Sequence, residues 1–156
     1  MKLAVLAVGH RQPDWVNEGC AEYLKRMPRE MAASVTEIKP EPRGSKTREQ
    51  LLAAEKARIR EALAAGSRLV VLDEKGDDLT TLKLAKRLEV WMQDGRDVAL
   101  LIGGADGLDE EFKQQADDKL RLSSLTLPHG MARMVLCEQL YRAVSVLKNH
   151  PYHREG

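Results

Sequence analysis

Aromatic residues are scarce in this chain: Phe, Trp and Tyr together make up 4% of its 156 residues. That scarcity weighs against a single-strand nucleic-acid binder built on stacking platforms. Cysteine is scarcer still. Cys20 and Cys137 stand far apart with no C-x-x-C partner, so zinc spacing and a disulfide framework are both missing, and a reduced compartment is expected. Neither sign of charge is in excess, since 25 basic and 24 acidic side chains leave a net charge of +1. A protein that coats nucleic acid would carry a domain pI above about 9. A local basic patch stays compatible with the composition. No apolar run approaches the ~20 residues of a membrane span. The N-terminal "MKLAVLAVGH" passes at once into "HRQPDW" without a small-residue cleavage site, so it reads as a strand and not as an export signal. The expectation is a cytoplasmic protein with no membrane attachment.

What is present describes one globular domain over residues 1–156. A chain near 150 residues buries roughly 68–70% of its unfolded surface, so no metal or disulfide staple is needed. Short apolar runs alternate with amphipathic helical segments, which predicts an α/β domain with a mostly parallel sheet flanked by helices. Strands are expected at Leu3 to Val8, Val35 to Ile38, Arg68 to Asp73, Asp97 to Gly104 and Leu120 to Ser123. Helices are expected from Pro13 to about Met27, from Thr47 to Leu63, from Thr80 or Thr81 to near Gly95, over Asp109 to Ala116, and from about Met131 to Leu147. The polar, turn-rich "KPEPRGSKTREQ" reads as the most mobile loop. The last helix carries apolar residues on more sides than one sheet can cover, Met134, Val135, Leu136, Cys137, Leu140, Val144 and Leu147 among them. Its second face is therefore expected to pack on another subunit, making a homodimer.

In open α/β sheets ligands bind outside the C-terminal ends of the strands. Three strand ends carry unusual chemistry here: "VVLDEKG", "LLIGGADG" and "RLSSLTLPHG". The glycine turn has neither the G-x-G-x-x-G spacing nor a following G-K-[ST], and Asp106, Asp109, Glu110 and Glu111 surround it with negative charge. It serves either as a plain turn that needs positive φ or as a wall for a ligand without phosphate. Ser123, Ser124 and Thr126 in turn either satisfy turn backbone or hold a nucleoside by hydroxyl and main-chain groups. An adenosine-type methyl donor fits such a crevice; ATP and NAD do not.

Together, "LDEKG", "LLIGGADGLDEEF", "LSSLTLPHGMARMVLCEQLYRA" and the terminal "NHPYHRE" resemble the bacterial large-subunit ribosomal RNA pseudouridine N3-methyltransferases, in the SPOUT superfamily of knotted methyltransferases. The likeness runs from "MKLAVLAVG" and "PDWVNEGCAEYLKRMP" to the C-terminus. It implies a homodimer with a C-terminal trefoil knot, S-adenosylmethionine as methyl donor, and a pseudouridine of 23S ribosomal RNA in the assembled ribosome as acceptor. Donor contacts carried over by the resemblance fall on Leu72, Gly103, Leu122, Ser123, Ser124, Leu125, Thr126 and Leu127.

A sulfonium is already activated, so the reaction needs no metal. The imide N3 must lose a proton, for which a general base is useful. The tail then offers His153 as base, with Tyr152 and Arg154 positioning RNA. His129 is the alternative base, or else a hydrogen-bonded histidine that fixes its loop. Arg133 and Arg142 on the last helix are candidate RNA contacts, although Glu138 stands four residues before Arg142 in the geometry of a simple ion pair. Arg43, Lys46 and Arg48 in the polar loop, and Lys25, Arg26 and Arg29, are further candidates. Competing readings are a transfer RNA enzyme of the same fold, a non-catalytic ribosome-binding or assembly factor, and a flavodoxin-like nucleotide module.

Overall fold

Five strands, β1 (Leu3–Val8), β2 (Ala33–Ile38), β3 (Arg68–Asp78), β4 (Val98–Ile102) and β5 (Asp118–Arg121), form one sheet in the order β2-β1-β4-β3-β5. Every neighbouring pair is parallel. A computed structural model describes residues 1–155 of the chain. β1 and β4 run through the middle and are apolar on both faces, as strands covered from both sides must be. Leu3, Val5 and Ala7 of β1 join Val98, Leu100 and Ile102 of β4 on one face. Leu6 and Val8 join Ala99 and Leu101 on the other.

Helices α1 (Asp14–Leu24), α2 (Arg48–Ala62), α3 (Thr81–Asp94), α4 (Glu110–Gln115) and α5 (His129–Leu147) divide between those faces. α3 and α5 cover the first through Leu84, Leu88, Trp91, Leu136 and Leu140. α1 lies along α5, with Val16 and Cys20 against Cys137. α2 and α4 cover the second face through Ile59 and Phe112. The helix starts follow local chemistry. Thr47 accepts from Gln50 N while the Gln50 side chain accepts from Thr47 N, a reciprocal cap. Thr80 caps α3, and Gly95 at φ 81° ends it. No helix among the described residues is long and apolar enough to cross a membrane.

β2 begins at Ala33, β4 spans Val98–Ile102 and β5 ends at Arg121, each within two residues of expectation, and two further boundaries differ for a visible reason. β3 does not stop at Asp73 but continues to Asp78, with a register shift that sets both Leu72 and Asp77 opposite Leu120. The bulge depends on Gly76, where a Cβ would come within 2.7 Å of the Leu120 backbone. β5 begins at Asp118, earlier than the apolar pattern suggested. Asp118 is tolerated in a strand because its carboxylate accepts from Arg87 at 2.6 Å and from the indole N–H of the buried Trp91 at 3.1 Å. On the last helix Leu136, Cys137, Leu140 and Val144 are buried within one protomer, while Met134, Val135 and Leu147 are half-buried and Met131 is exposed.

Candidate active site

The carboxyl ends of β1, β4, β3 and β5 open into a cavity of about 710 Å³. Leu72, Gly103, the whole run from Leu122 to Leu127, and His129 line it. All donor-binding candidates named from the sequence thus meet in one place, and Val8 and Gly9 at the end of β1 join them. The glycine turn is closed by Gly107 N donating to Gly104 O at 3.0 Å, with Gly107 at φ 80°. A Cβ on Gly103 would stand 2.9 Å from the Gly107 carbonyl carbon and oxygen, so the turn closes this tightly only with glycine there. In the hydroxyl loop Ser123 Oγ accepts from Leu125 N at 2.9 Å, which is the turn-forming role of serine.

The cavity is not free of fixed charge. Asp73, Glu74, Lys113 and Arg121 also line it. The cations face carboxylates: Lys113 lies 3.9 Å from Asp73 and Arg121 3.0 Å from Asp78. The stretch 122–127 itself carries none, as the sequence implied. The acids after the glycine turn are also engaged. Asp106 is held by Arg43, Asp109 caps α4 by accepting from Glu111 N at 2.9 Å, and Glu111 pairs with Lys56 and Arg60.

At the floor, His129 Nε2 accepts from Arg133 Nε at 2.8 Å, and Arg133 Nη1 reaches Glu37 Oε1 on β2 at 2.8 Å. Burial above all, and then the Arg133 charge, hold the His129 pKa below the ordinary histidine range. A backbone hydrogen bond to Gly103 and the Glu37 charge work in the opposite direction. With its Nε2 lone pair occupied, His129 is built as an anchor of its loop and is poorly placed to take a proton from a substrate.

The tail lies elsewhere. Its 3₁₀ turn, Pro151–Glu155, packs on the C-terminal part of α5. Tyr152 OH donates to Glu138 Oε1 at 3.1 Å, and His153 Nδ1 stands 3.5 Å from Ser145 Oγ. Tyr152 also packs edge-on against Tyr141, with ring centroids 4.8 Å apart. Arg154 is exposed. Ser145 and His129 are separated along α5 by roughly 24 Å, at about 1.5 Å per residue. Within one protomer, Tyr152, His153 and Arg154 therefore do not meet the cavity.

A family model described as "Predicted SPOUT methyltransferase" matches residues 1–153. The chain belongs to the SPOUT methyltransferase family. It is 94% identical, over the full length of both chains, to the protein of Dechloromonas aromatica named ribosomal RNA large subunit methyltransferase H. A relative of the same name in Burkholderia lata is 59% identical over 155 residues, 99% of each chain. Among solved structures, a probable methylase family protein from Haemophilus influenzae aligns with a TM-score of 0.54 and 16% identity, over 94% of this chain and 66% of that one. A chain from a structural study of 2-OH methylation of C/U34 on tRNA aligns with the same TM-score and identity, over 96% and 98%. At that identity the two structures establish likeness of fold alone.

The basic residues of this SPOUT methyltransferase are less free than their sequence positions suggested. Arg133 is 2% exposed and locked between His129 and Glu37, so it is a buried structural cation and not a surface RNA contact. Arg142 is paired with Glu138, at 2.6 Å. Arg43 and Arg48 both reach Asp106, the first at its carboxylate and the second at its carbonyl oxygen, and Lys46 pairs with Glu41. Lys25 and Arg26 share Glu22; Arg29 starts a short 3₁₀ turn. Sequence reasoning missed Glu37 and Gly9. An isolated glutamate in an edge strand and a glycine after a strand carry no local signal of their partners.

Proposed function

We propose that this SPOUT methyltransferase transfers a methyl group from S-adenosylmethionine to N3 of a pseudouridine in 23S ribosomal RNA of the assembled ribosome. The single observation that carries the acceptor is the 94% identity, end to end, with a relative named for large-subunit ribosomal RNA. A cytoplasmic location follows from that acceptor. The reading treats residues 1–156 as one catalytic domain, with the C-terminal knot that family membership implies.

The cavity suits the donor. Its volume of about 710 Å³ lies within the usual range for small-molecule sites. Its ionic lining groups, two of each sign, match a ligand that carries a sulfonium, an ammonium and a carboxylate but no phosphate. When bound, the donor supplies a methyl group already activated by its positive sulfur. Leu72, Gly103 and residues 122–127 hold the adenosine portion, and the glycine wall admits it close to the backbone.

Transfer would require the chain to hold the acceptor nitrogen in near-attack contact with the donor. His153 accepts the N3 proton, its imidazole nitrogen being the base that the tail offers. Tyr152 and Arg154 position the RNA, Arg154 pairing with phosphate or with the imide anion. These groups reach a cavity only if it belongs to a second subunit, because their own lies about 14 Å along α5 from the Glu138 contact of Tyr152 and roughly 24 Å from the Ser145 contact of His153. That separation is the reason to propose a homodimer. Arg43, Lys46, Arg48 and Arg142 are the proposed RNA contacts, exchanging protein carboxylates for phosphates.

Methyl transfer to assembled ribosomes, free 23S RNA and bulk tRNA, assayed in parallel, tests the proposal. Transfer to ribosomes alone is expected. Transfer to tRNA alone would replace the acceptor, and failure to bind S-adenosylmethionine in a calorimetric titration would leave a non-catalytic ribosome-binding factor.

A further inference from the structure

Arg133 is 2% exposed, and a guanidinium removed from water must find partners or destabilise the fold. Two of its nitrogens do so: Nε donates to His129 Nε2 and Nη1 to Glu37 Oε1, each at 2.8 Å. The third, Nη2, is buried with no partner among the described residues. It faces Gly9, where an added Cβ would come 2.9 Å from Nη2 and 2.8 Å from His129 Nε2. Glycine at the end of β1 is what leaves room for this arrangement.

The hydrogen bond from Arg133 decides the tautomer of His129. Since Nε2 accepts, the proton of the neutral ring sits on Nδ1, and the ring shares the cavity lining with Gly103. The Gly103 backbone favours the protonated ring, as a nearby carbonyl dipole does. Gly103 opens the glycine turn that walls the cavity.

We propose that Glu37 and Arg133 are positioning residues for donor binding: they fix the tautomer and orientation of His129, which sets the Gly103 carbonyl and with it the donor-facing wall. The proposal rests on the reading of the cavity as a donor site. Neither residue touches donor or RNA; both act through His129.

The geometry accepts only a neutral imidazole. A protonated ring has no lone pair for Arg133 and would place two cations in contact. The charged groups that face the ring are Arg133 from α5 and Glu37 from β2. Cys20 from α1 and Cys137 from α5 face Arg133 in turn, and His10 lines the same cavity. Donor affinity is therefore flat near neutral pH and falls in acid, as His129 takes up a proton. Glu37 favours that protonation and Arg133 opposes it. Removing Glu37 moves the acid loss to lower pH; removing Arg133 removes the contact that ring protonation breaks, and with it the acid loss.

The test is calorimetric binding of S-adenosylhomocysteine between about pH 5 and 8, where histidine titrates, with unfolding followed alongside to confirm the fold. His129→Phe is expected to weaken binding about tenfold or more. His129→Gln, whose amide can accept from Arg133 and donate to Gly103, recovers most of that loss and shows no acid break. Glu37→Gln lowers the midpoint, and Arg133→Met weakens binding and loses the acid break. A purely structural role would weaken binding without moving the midpoint. His129→Gln as weak as His129→Phe, or an unmoved midpoint in folded Glu37→Gln, would overturn the proposal. Should Arg133→Met fail to fold, those two variants decide it. Wild-type protein that binds no S-adenosylhomocysteine would overturn the donor reading itself, and this proposal with it.

Discussion

Arg43 Nη2 lies 2.6 Å and 2.8 Å from the two carboxylate oxygens of Asp106, joining loops 63 residues apart in sequence. The pair ties the basic loop between β2 and α2 to the glycine turn of the cavity. Arg48 reinforces it by donating to the Asp106 carbonyl oxygen at 2.8 Å.

Arg43 is 62% exposed in its side chain, and an exposed pair contributes at most about 1 kcal/mol. Asp106→Asn is therefore expected to leave the unfolding midpoint in urea nearly unchanged. The same exposure leaves Arg43 free to exchange Asp106 for an RNA phosphate. Replacing Arg43, Lys46 and Arg48 by alanine should lower the salt slope of ribosome affinity by about one for each phosphate no longer neutralised. An identical slope in the triple variant would end their role in RNA binding.

Gly103→Ala places a methyl group 2.9 Å from the Gly107 backbone, a neighbour that cannot rotate away as a side chain could. The variant should lose about tenfold or more in affinity for S-adenosylhomocysteine and also lose some thermal stability, because the methyl group meets the buried Leu108 side chain at 2.9 Å as well. Gly107→Ala, at φ 80°, should cost about 1–2 kcal/mol of stability from backbone strain. Chemical denaturation measures the stability cost of each.

His129 also links stability to pH. Its folded-state pKa lies below the ordinary value, with burial as the chief cause. As pH falls below about 6.5 the unfolded chain binds a proton that the folded chain does not. Stability is therefore lost as pH falls from there toward the folded-state value, and the loss levels off below it. His129→Gln removes this contribution. The stability difference between wild type and variant, measured by urea unfolding, should shift toward the variant on going from about pH 7.5 to pH 5. A pH-independent difference would place the histidine charge outside the linkage.

The partner-supplied tail makes a quantitative prediction. His153→Ala impairs the tail and Gly103→Ala impairs the cavity, each in its own chain. In an equal mixture of exchanging subunits half of the dimers are mixed, and each mixed dimer has one intact site. Methyl transfer should recover to about a quarter of the wild-type level. No recovery after verified subunit exchange would place the tail and the cavity of each site in a single chain.

Local chemistry explains what was readable beforehand. The fully apolar β1 and β4 announce strands covered on both faces, and Thr80 with Gly95 brackets α3 by capping alone. The cavity loops were also visible, because strand ends in a parallel sheet share one edge. The tail of β3 was not: "EKGDD" has the composition of a loop, and only pairing with β5 around Gly76 makes it a strand. Asp118 looked unsuited to a strand until Arg87 and Trp91 were found to satisfy it. Glu37 and Arg133 are 96 residues apart, and no periodicity links an edge-strand carboxylate to a helix cation across the sheet. Arg133 thus looked like a free surface charge when it is a buried one.

The most direct measurement is a crystal structure of the protein with S-adenosylhomocysteine. The account predicts the adenosine portion in the cavity between Gly103 and residues 122–127, held through main-chain atoms, with the sulfur open toward a neighbouring subunit's His153. Ligand bound at another surface, with this cavity empty, would contradict it.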